Sequence, residues 1–344
     1  MTAGALPRHG GDLSAAAMRF RRIPWLDLST GINPRPYPIS ANTVEEWNRL
    51  PTSDQYQALC VAAARYYRTG PKTTVVVAPG TQALIRWLPY LACRPGDSLR
   101  VAVVAPTYIE HAIAWRTAGH RVRNVSTLSE ITTSKTDVAI VVNPNNPDGR
   151  LFKPEQLYDI APTLSLLIVD EAFADVQPDV SLVVLLDHIV AHPNSGRVVI
   201  LRSFGKFFGL AGVRLGFALL TESTLVARLQ EALGPWAVCG AALRLGTLAL
   251  SDDHWISATR NWLHASAIRL DSVLSAAGLV VTGGTDLFRL ADCGTSCSAV
   301  YEKLGQAGIL VRAFTSLPSQ LRFGLPGCKN DLQKLSDILS FSKK

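Results

Sequence analysis

A lysine can carry carbonyl chemistry when its amine is neutral often enough to attack an aldehyde and is held near an anchored electron sink. Lys206, in Ser203-Phe204-Gly205-Lys206-Phe207-Phe208-Gly209, keeps the right company for that. Ser203, three residues before it, can give a hydroxyl to a phosphate, and Arg214, eight residues after it, can give a bidentate guanidinium. Gly80-Thr81-Gln82 stands between an apolar run and a helical pattern, where backbone N–H groups and a helix N-terminus would face the same anion. Singly, each has a plain structural reading: a loop lysine, a surface arginine, a turn glycine. Together they describe a lysine beside a phosphate anchor.

Groups of this kind need a scaffold, and open α/β sheets place ligands beyond the carboxyl ends of their strands. Five short apolar, β-branched runs supply such ends, at residues 75–77, 101–104, 138–142, 166–169 and 198–201. The turns that follow read Ala-Pro-Gly-Thr-Gln, Ala-Pro-Thr-Tyr, Asn-Pro-Asn-Asn-Pro-Asp-Gly, Asp-Glu-Ala-Phe and Arg-Ser-Phe-Gly-Lys. Continuous apolar runs suit strands buried on both faces, and helical patterns at 81–91 and 110–118 separate several of them. The expected fold class is α/β, with a mostly parallel sheet flanked by helices. Beyond about residue 235 the pattern changes: helices are expected at 241–250 and 255–274, strands near 279–282 and 287–290, a hairpin within 308–323 and a closing helix over 330–341. The predicted organisation is an N-terminal arm over 1–38, a large domain over 39–235 and a small α/β domain over 236–344, to which the arm also contributes.

The chain of 344 residues is 48% hydrophobic, enough for a sizeable core. Its formal charge of +7 suits an anionic ligand, but Lys and Arg are spread along the chain, so nucleic acid is not the expected partner. The apolar runs are too short to span a membrane, and the N-terminus is too polar for a signal peptide, which makes a cytoplasmic enzyme the expectation. Cys60, Cys93, Cys239, Cys293, Cys297 and Cys328 form no C-x2-C pair, and no metal site is expected; they read as reduced structural thiols.

The string from Ser203 to Gly216, Ser-Phe-Gly-Lys-Phe-Phe-Gly-Leu-Ala-Gly-Val-Arg-Leu-Gly, resembles the Schiff-base segment of the class I/II aminotransferase superfamily, enzymes of PLP fold type I. The resemblance implies pyridoxal 5′-phosphate (PLP) as cofactor, attached at Lys206, with phosphate contacts from Ser203, Arg214 and the Gly80, Thr81 and Gln82 turn. It further implies that Asn146 bonds the phenolic oxygen, that Asp170 pairs with the pyridine nitrogen and that Tyr108 stacks on the ring. A carboxylate at a buried strand end would keep that nitrogen protonated and strengthen the electron sink. Two positions depart from the common pattern. Phe173 stands where many relatives have a tyrosine, which removes a hydroxyl from the phenolic oxygen. Leu50-Pro51 replaces the Tyr-Pro that reaches a partner's cofactor phosphate in a homodimer, leaving nearby Tyr56 as a substitute.

His9-Gly10-Gly11-Asp12-Leu13 and Asp27-Leu28-Ser29-Thr30-Gly31-Ile32-Asn33-Pro34 are similar to strings of the threonine-phosphate decarboxylase family. That family converts L-threonine O-3-phosphate to (R)-1-amino-2-propanol O-2-phosphate and carbon dioxide in cobalamin biosynthesis. The resemblance implies substrate contacts from His9, reaching a neighbouring subunit, and from Gly31, Asn33, Arg312 and Arg322. The chemistry is consistent with this set, because the bond that breaks must stand perpendicular to the cofactor ring. A second dianionic handle gripped by arginines can turn the carboxylate into that position. Which arginine takes phosphate and which takes carboxylate is open at this level. Histidinol-phosphate aminotransferase is the rival, with the same fold and a phosphorylated substrate; a catalytically impaired partner protein is a third reading.

Overall fold

Apolar runs without alternation become interior strands when helices cover both faces of their sheet. In the computed structural model, which describes residues 9–22, 24–39, 45–94, 96–191 and 197–340, the predicted runs do so. In chain order the strands are β1 (Leu26–Leu28), β2 (Thr74–Ala78), β3 (Arg100–Val104), β4 (Arg121–Val125), β5 (Val138–Val142), β6 (Leu166–Asp170), β7 (Arg197–Ser203), β8 (Gly216–Leu220), β9 (Val280–Thr285), β10 (Phe288–Asp292), β11 (Ile309–Phe314) and β12 (Leu317–Gly324). One seven-stranded sheet runs β2-β8-β7-β6-β5-β3-β4. Its neighbours are parallel except β8, which is antiparallel to both β2 and β7. Every residue of β5, β6 and β8 is buried.

The five predicted runs are β2, β3, β5, β6 and β7. Two further strands were not expected. β4 reads Arg-Val-Arg-Asn-Val and closes one edge of the sheet, where polar residues are tolerated. β8 reads Gly-Phe-Ala-Leu-Leu, opening on glycine and built from helix-favouring residues, yet it is enclosed between β2 and β7. Leu84, Ile85 and Leu88 of the helix Thr81–Leu91, with Trp115 of the helix Glu110–Thr117, pack on Val76, Val103, Ile140, Ile168 and Val199. Each fully buried side chain of this kind contributes roughly 1.5–3 kcal/mol.

The helix Thr81–Leu91 is tied down at its far end. Its last carbonyls accept from His120 Nε2 (2.9 Å, Pro89 O), from Arg228 (Tyr90 O and Cys93 O) and from Arg197 (Ala92 O). The two arginines, as cations at a helix C-terminus, oppose its partial negative charge, and with the His120 donor they fix the direction in which the N-terminus points.

The chain divides into two units. The larger comprises Tyr37–Asn146 and Leu151–Trp255; the smaller comprises Met1–Pro36, Pro147–Arg150 and Ile256–Lys344. The sequence reading starts the small domain at 236, whereas residues 236–255 group with the larger unit and the division falls inside the helix Asp253–Ala276. The reason is packing. The helix Gly240–Ser251 lies so close to the helix Ser53–Tyr67 that a Cβ on Gly246 would stand 2.9 Å from Leu59, and Arg65 forks onto Asp253 at 3.0 Å. The smaller unit holds the second sheet, β1-β11-β12-β10-β9, in which β1 is parallel to β11 and the other pairs are antiparallel. The closing helix is Lys329–Ser340; Phe341, included in its expected span, lies outside the described residues, as do residues 1–8 of the arm. No helix among the described residues is long and apolar enough to cross a membrane.

Candidate active site

Lys206 stands in the short helix Phe204–Phe207 that follows β7. The aromatic residues around it are fully buried anchors: Phe204 stacks on Phe208 at 4.6 Å, Phe208 stacks on Trp255 at 5.5 Å, and Phe207 meets Trp255 edge-on at 5.7 Å. These contacts fix the turn, and Lys206, only half-buried, projects from it into a cleft of the larger unit. The cleft is lined by Lys206 together with Gly80, Thr81, Gln82, Tyr108, Asn146, Asp170, Ser203 and Arg214. All nine residues singled out around the cofactor are therefore brought into one place.

One end of the cleft is built for an anion. Gly80 has φ 79°, and a Cβ there would stand 2.8 Å from Arg214 Nη2, so only glycine lets the guanidinium lie against this turn. A Cβ on Gly216 would meet Thr81 N at 2.5 Å, which keeps β8 tight against the start of the helix Thr81–Leu91. No side chain caps that helix. Backbone amides, the Ser203 hydroxyl and the Arg214 guanidinium thus border the same space, the donor set that a phosphate dianion requires.

The other end carries a buried carboxylate. Asp170, the last residue of β6, is 4% exposed; its Oδ1 accepts from Ala172 N at 3.0 Å and its Oδ2 from His111 Nε2 at 2.8 Å. A carboxylate only accepts, so this contact puts a proton on His111 Nε2. Beside it, the Asn146 loop is braced by two buried neighbours: Asn143 exchanges hydrogen bonds with the Phe152 backbone at 2.8 and 3.0 Å, and Asn145 donates to Pro106 O at 2.8 Å. Phe173 is buried, with Lys206 Nζ 5.6 Å from its ring centroid.

Sequence reasoning missed three supports. His111 falls three residues after Tyr108, and the two rings meet edge-on at 6.1 Å; a lone histidine in a helical pattern gave no sign of this. Gln82, expected to act through its backbone, also uses its side chain: Oε1 accepts from Tyr108 Oη at 3.1 Å, and Nε2 donates to Glu110 Oε2 at 3.4 Å, which Arg86 also reaches at 2.9 Å. Behind the strand ends, Arg202 is clamped by Glu171 (2.7 Å) and Asp175 (2.6 Å), all three buried. Burial works against the Arg202 charge, yet Asp175 and Glu171 outweigh it and raise its pKa, while burial pushes Glu171 up. The clamp ties β7 to the segment after β6 and so steadies Ser203 and Asp170.

The five substrate candidates all belong to the smaller unit. Arg312 and Arg322 are directly opposed on β11 and β12. Arg322 is 6% exposed; its guanidinium lies 5.0 Å from the Phe288 ring centroid and 5.8 Å from that of Phe314, and its Nη2 donates to Ser29 O at 2.8 Å. Burial and the neighbouring Arg312 lower its pKa to about 9 against the opposing pull of Asp27, and burial likewise lowers Arg312. His9 borders a small cavity with Arg312, Ser29 and Tyr301. Asn33, 1% exposed, turns its Oδ1 to Arg35 N at 2.9 Å, and Gly31 is buried beside it.

Tyr56 lies apart from the nine, bordering a second cleft of the larger unit with its hydroxyl accepting from Val77 N at 3.3 Å. Leu50 is exposed, as are Trp47, Val61 and Trp236. Two of the thiols are quiet: burial pushes Cys60 up to about 11 and Cys293 up to about 12, which keeps these two protonated near neutral pH.

Comparison with known proteins agrees with this architecture. A threonine-phosphate decarboxylase of Pseudomonas aeruginosa is 44% identical, covering 92% of each chain, and one of a Sinorhizobium species is 41% identical, covering 96% of this chain and 97% of its own. The histidinol-phosphate aminotransferase of Sinorhizobium meliloti, solved in complex with pyridoxal-5′-phosphate, superposes with a TM-score of 0.78 at 22% identity, over 95% of this chain and 93% of that one; at that identity it speaks for the fold. The family model for aminotransferase class I and II matches residues 24–336. The chain therefore belongs to the class I and II aminotransferase family.

Proposed function

We propose that this chain is a PLP-dependent carboxy-lyase that converts L-threonine O-3-phosphate to (R)-1-amino-2-propanol O-2-phosphate and carbon dioxide, a step of cobalamin biosynthesis. The observation that carries the reading is the near full-length similarity, at 44% and 41% identity, to proteins named threonine-phosphate decarboxylase. The cleft fits PLP: a glycine whose missing side chain admits Arg214, an uncapped helix N-terminus and Ser203 suit its phosphate, and a buried carboxylate stands ready for a ring nitrogen. Lys206 would hold the cofactor covalently, Asn146 its phenolic oxygen, Asp170 its nitrogen and Tyr108 its ring face. When bound, PLP supplies an electron sink for the pair released as the carboxylate leaves.

The chain's own contribution is orientation and proton control. Asp170, held by His111, keeps a negative charge fixed where a protonated ring nitrogen would sit. Arg312 and Arg322 offer the two anion sites that a phosphorylated amino acid needs, and bound dianions would relieve their mutual repulsion. Lys206 Nζ, in its protonated form, would be the acid that returns a proton to Cα after carbon dioxide departs. The exposed Trp47, Leu50, Val61 and Trp236 of the larger unit are suited to burial against a second copy of the chain, as a homodimer.

The test is product analysis. The PLP-loaded enzyme should release one carbon dioxide per threonine phosphate consumed without any 2-oxo acid. Glutamate-dependent conversion of imidazole acetol phosphate, with no carbon dioxide from threonine phosphate, would instead make it a histidinol-phosphate aminotransferase. Phe173 gives a second prediction. Phe173→Tyr would add a hydroxyl beside Lys206 that donates to the phenolic oxygen and favours its anion. The visible absorbance of the loaded enzyme should then titrate at lower pH, by roughly 0.4–1 unit for one hydrogen bond; an unchanged or higher midpoint contradicts the placement.

A further inference from the structure

The two strings His9-Gly10-Gly11-Asp12 and Asp27-Leu28-Ser29-Thr30 interlock in the structure, and Ser29 is the residue that joins them. It is 2% exposed. Its Oγ accepts from Gly11 N at 2.7 Å and donates to Asp27 Oδ1 at 2.6 Å, so the hydroxyl both donates and accepts. The same carboxylate oxygen accepts from Ser29 N at 2.8 Å, which fixes the hydroxyl's direction. The carbonyl of Ser29 accepts from Arg322 Nη2 at 2.8 Å. One buried residue therefore holds the N-terminal arm through its side chain and the buried guanidinium through its main chain.

The glycines make this approach possible. A Cβ on Gly10 would lie 2.3 Å from Ser29 O, the very oxygen that Arg322 uses, and Gly11 has φ 82° with Thr30 Cγ2 3.3 Å from where its Cβ would be. On the far side of the contact a Cβ on Gly324, two residues after Arg322, would stand 2.4 Å from Thr30 O. Immediately after the arm, Asp12 caps the helix Leu13–Phe20 by accepting from Ala15 N at 2.9 Å. His9, the residue before Gly10, faces the small cavity that Arg312 and Ser29 also line.

We propose that Ser29 is a latch: docking of the His9-Gly10-Gly11 arm on its hydroxyl places His9 beside Arg312 and sets Arg322, so recognition of the phosphorylated substrate depends on the docked arm. The inference rests on the anion-binding role proposed above for Arg312 and Arg322 and on the substrate contact expected of His9. Ser29 is a positioning residue that acts through them. Because an anion would bind the docked form better, anion and arm stabilise each other reciprocally.

The experiment is hydrogen exchange on the PLP-loaded enzyme, followed at residues 9–20 with and without inorganic phosphate, alongside kinetics with threonine phosphate. Phosphate should slow exchange of the wild-type arm. Ser29→Ala should speed arm exchange about tenfold, the size of one hydrogen bond's contribution, and abolish the phosphate effect. It should raise KM about tenfold with kcat within twofold and the visible cofactor absorbance unchanged, and Ser29→Thr, which keeps the hydroxyl, should recover most of the loss. Gly10→Ala leaves the Ser29 hydroxyl intact but drives the arm off, and should copy Ser29→Ala; it decides the matter where Ser29→Ala loosens the whole smaller unit. Unchanged arm exchange in both variants, or a KM defect without faster arm exchange, overturns the latch. A wild-type enzyme that releases no carbon dioxide sinks the substrate assignment instead, while the phosphate-protection comparison still decides the latch.

Discussion

Lys206→Ala should lose carbon dioxide release from threonine phosphate by about 10³-fold or more, the combined scale of a covalent tether and a positioned proton carrier, while the fold persists. Two features of the structure separate those effects. The turn around Lys206 is held by Phe204, Phe207 and Phe208, none of which depends on the lysine, so its truncation leaves the aromatic cluster with Trp255 in place. The phosphate end of the cleft keeps its donors too, since Ser203 is held at the end of β7 and the Gly80 turn and Arg214 come from other points of the chain. The variant should therefore still bind PLP, but reversibly. Wild-type protein should keep its visible absorbance through extended dialysis, and Lys206→Ala should lose it and recover absorbance, not activity, when PLP is returned. Residual turnover within tenfold of wild type would remove Lys206 from the chemistry.

That this lysine could be found in the sequence follows from the geometry of open sheets. Functional residues sit just after strands, so an apolar run followed by a polar turn marks both the strand and the site, as at β7 with Ser203 and Lys206 or β6 with Asp170. The helix Thr81–Leu91 matched its expected bounds because Gly80 punctuates its start and its apolar stripe is continuous. Where burial and local pattern disagree, reading fails. β8 is enclosed between β2 and β7, yet its Gly-Phe-Ala-Leu-Leu composition carries little strand signal, and β4 is an edge whose arginines obscure one. The boundary at residue 255 depends on how closely Gly246 lets two helices approach, which no local pattern records. Supports such as His111, Glu110 and the Arg202 clamp are invisible for a related reason: each is meaningful only through a partner 24 to 59 residues away. Ser29 lay within a string that was noticed, but its task depends on Gly11 and Arg322 together.

The buried partnership of Asp170 and His111 sets up the second large effect. Asp170→Asn keeps the size of the side chain and an oxygen able to accept from Ala172 N; it removes the charge and puts an amide NH2 where Oδ2 accepts from His111 Nε2–H. If the carboxylate were there merely to finish β6, the change would cost little activity. If it fixes negative charge opposite a protonated ring nitrogen, kcat should fall roughly 10²- to 10³-fold, the scale seen when one preorganised electrostatic partner is lost. PLP affinity should fall as well, by roughly 10- to 150-fold for a hydrogen bond to a charged group worth about 1.5–3 kcal/mol. His111→Phe is the graded control. It leaves Asp170 ionisable but deletes the Nε2–H that holds Oδ2 at 2.8 Å, so its effect on kcat should be smaller, about tenfold. An unchanged kcat in His111→Phe would mean that the histidine is a packing residue that does nothing to hold the carboxylate.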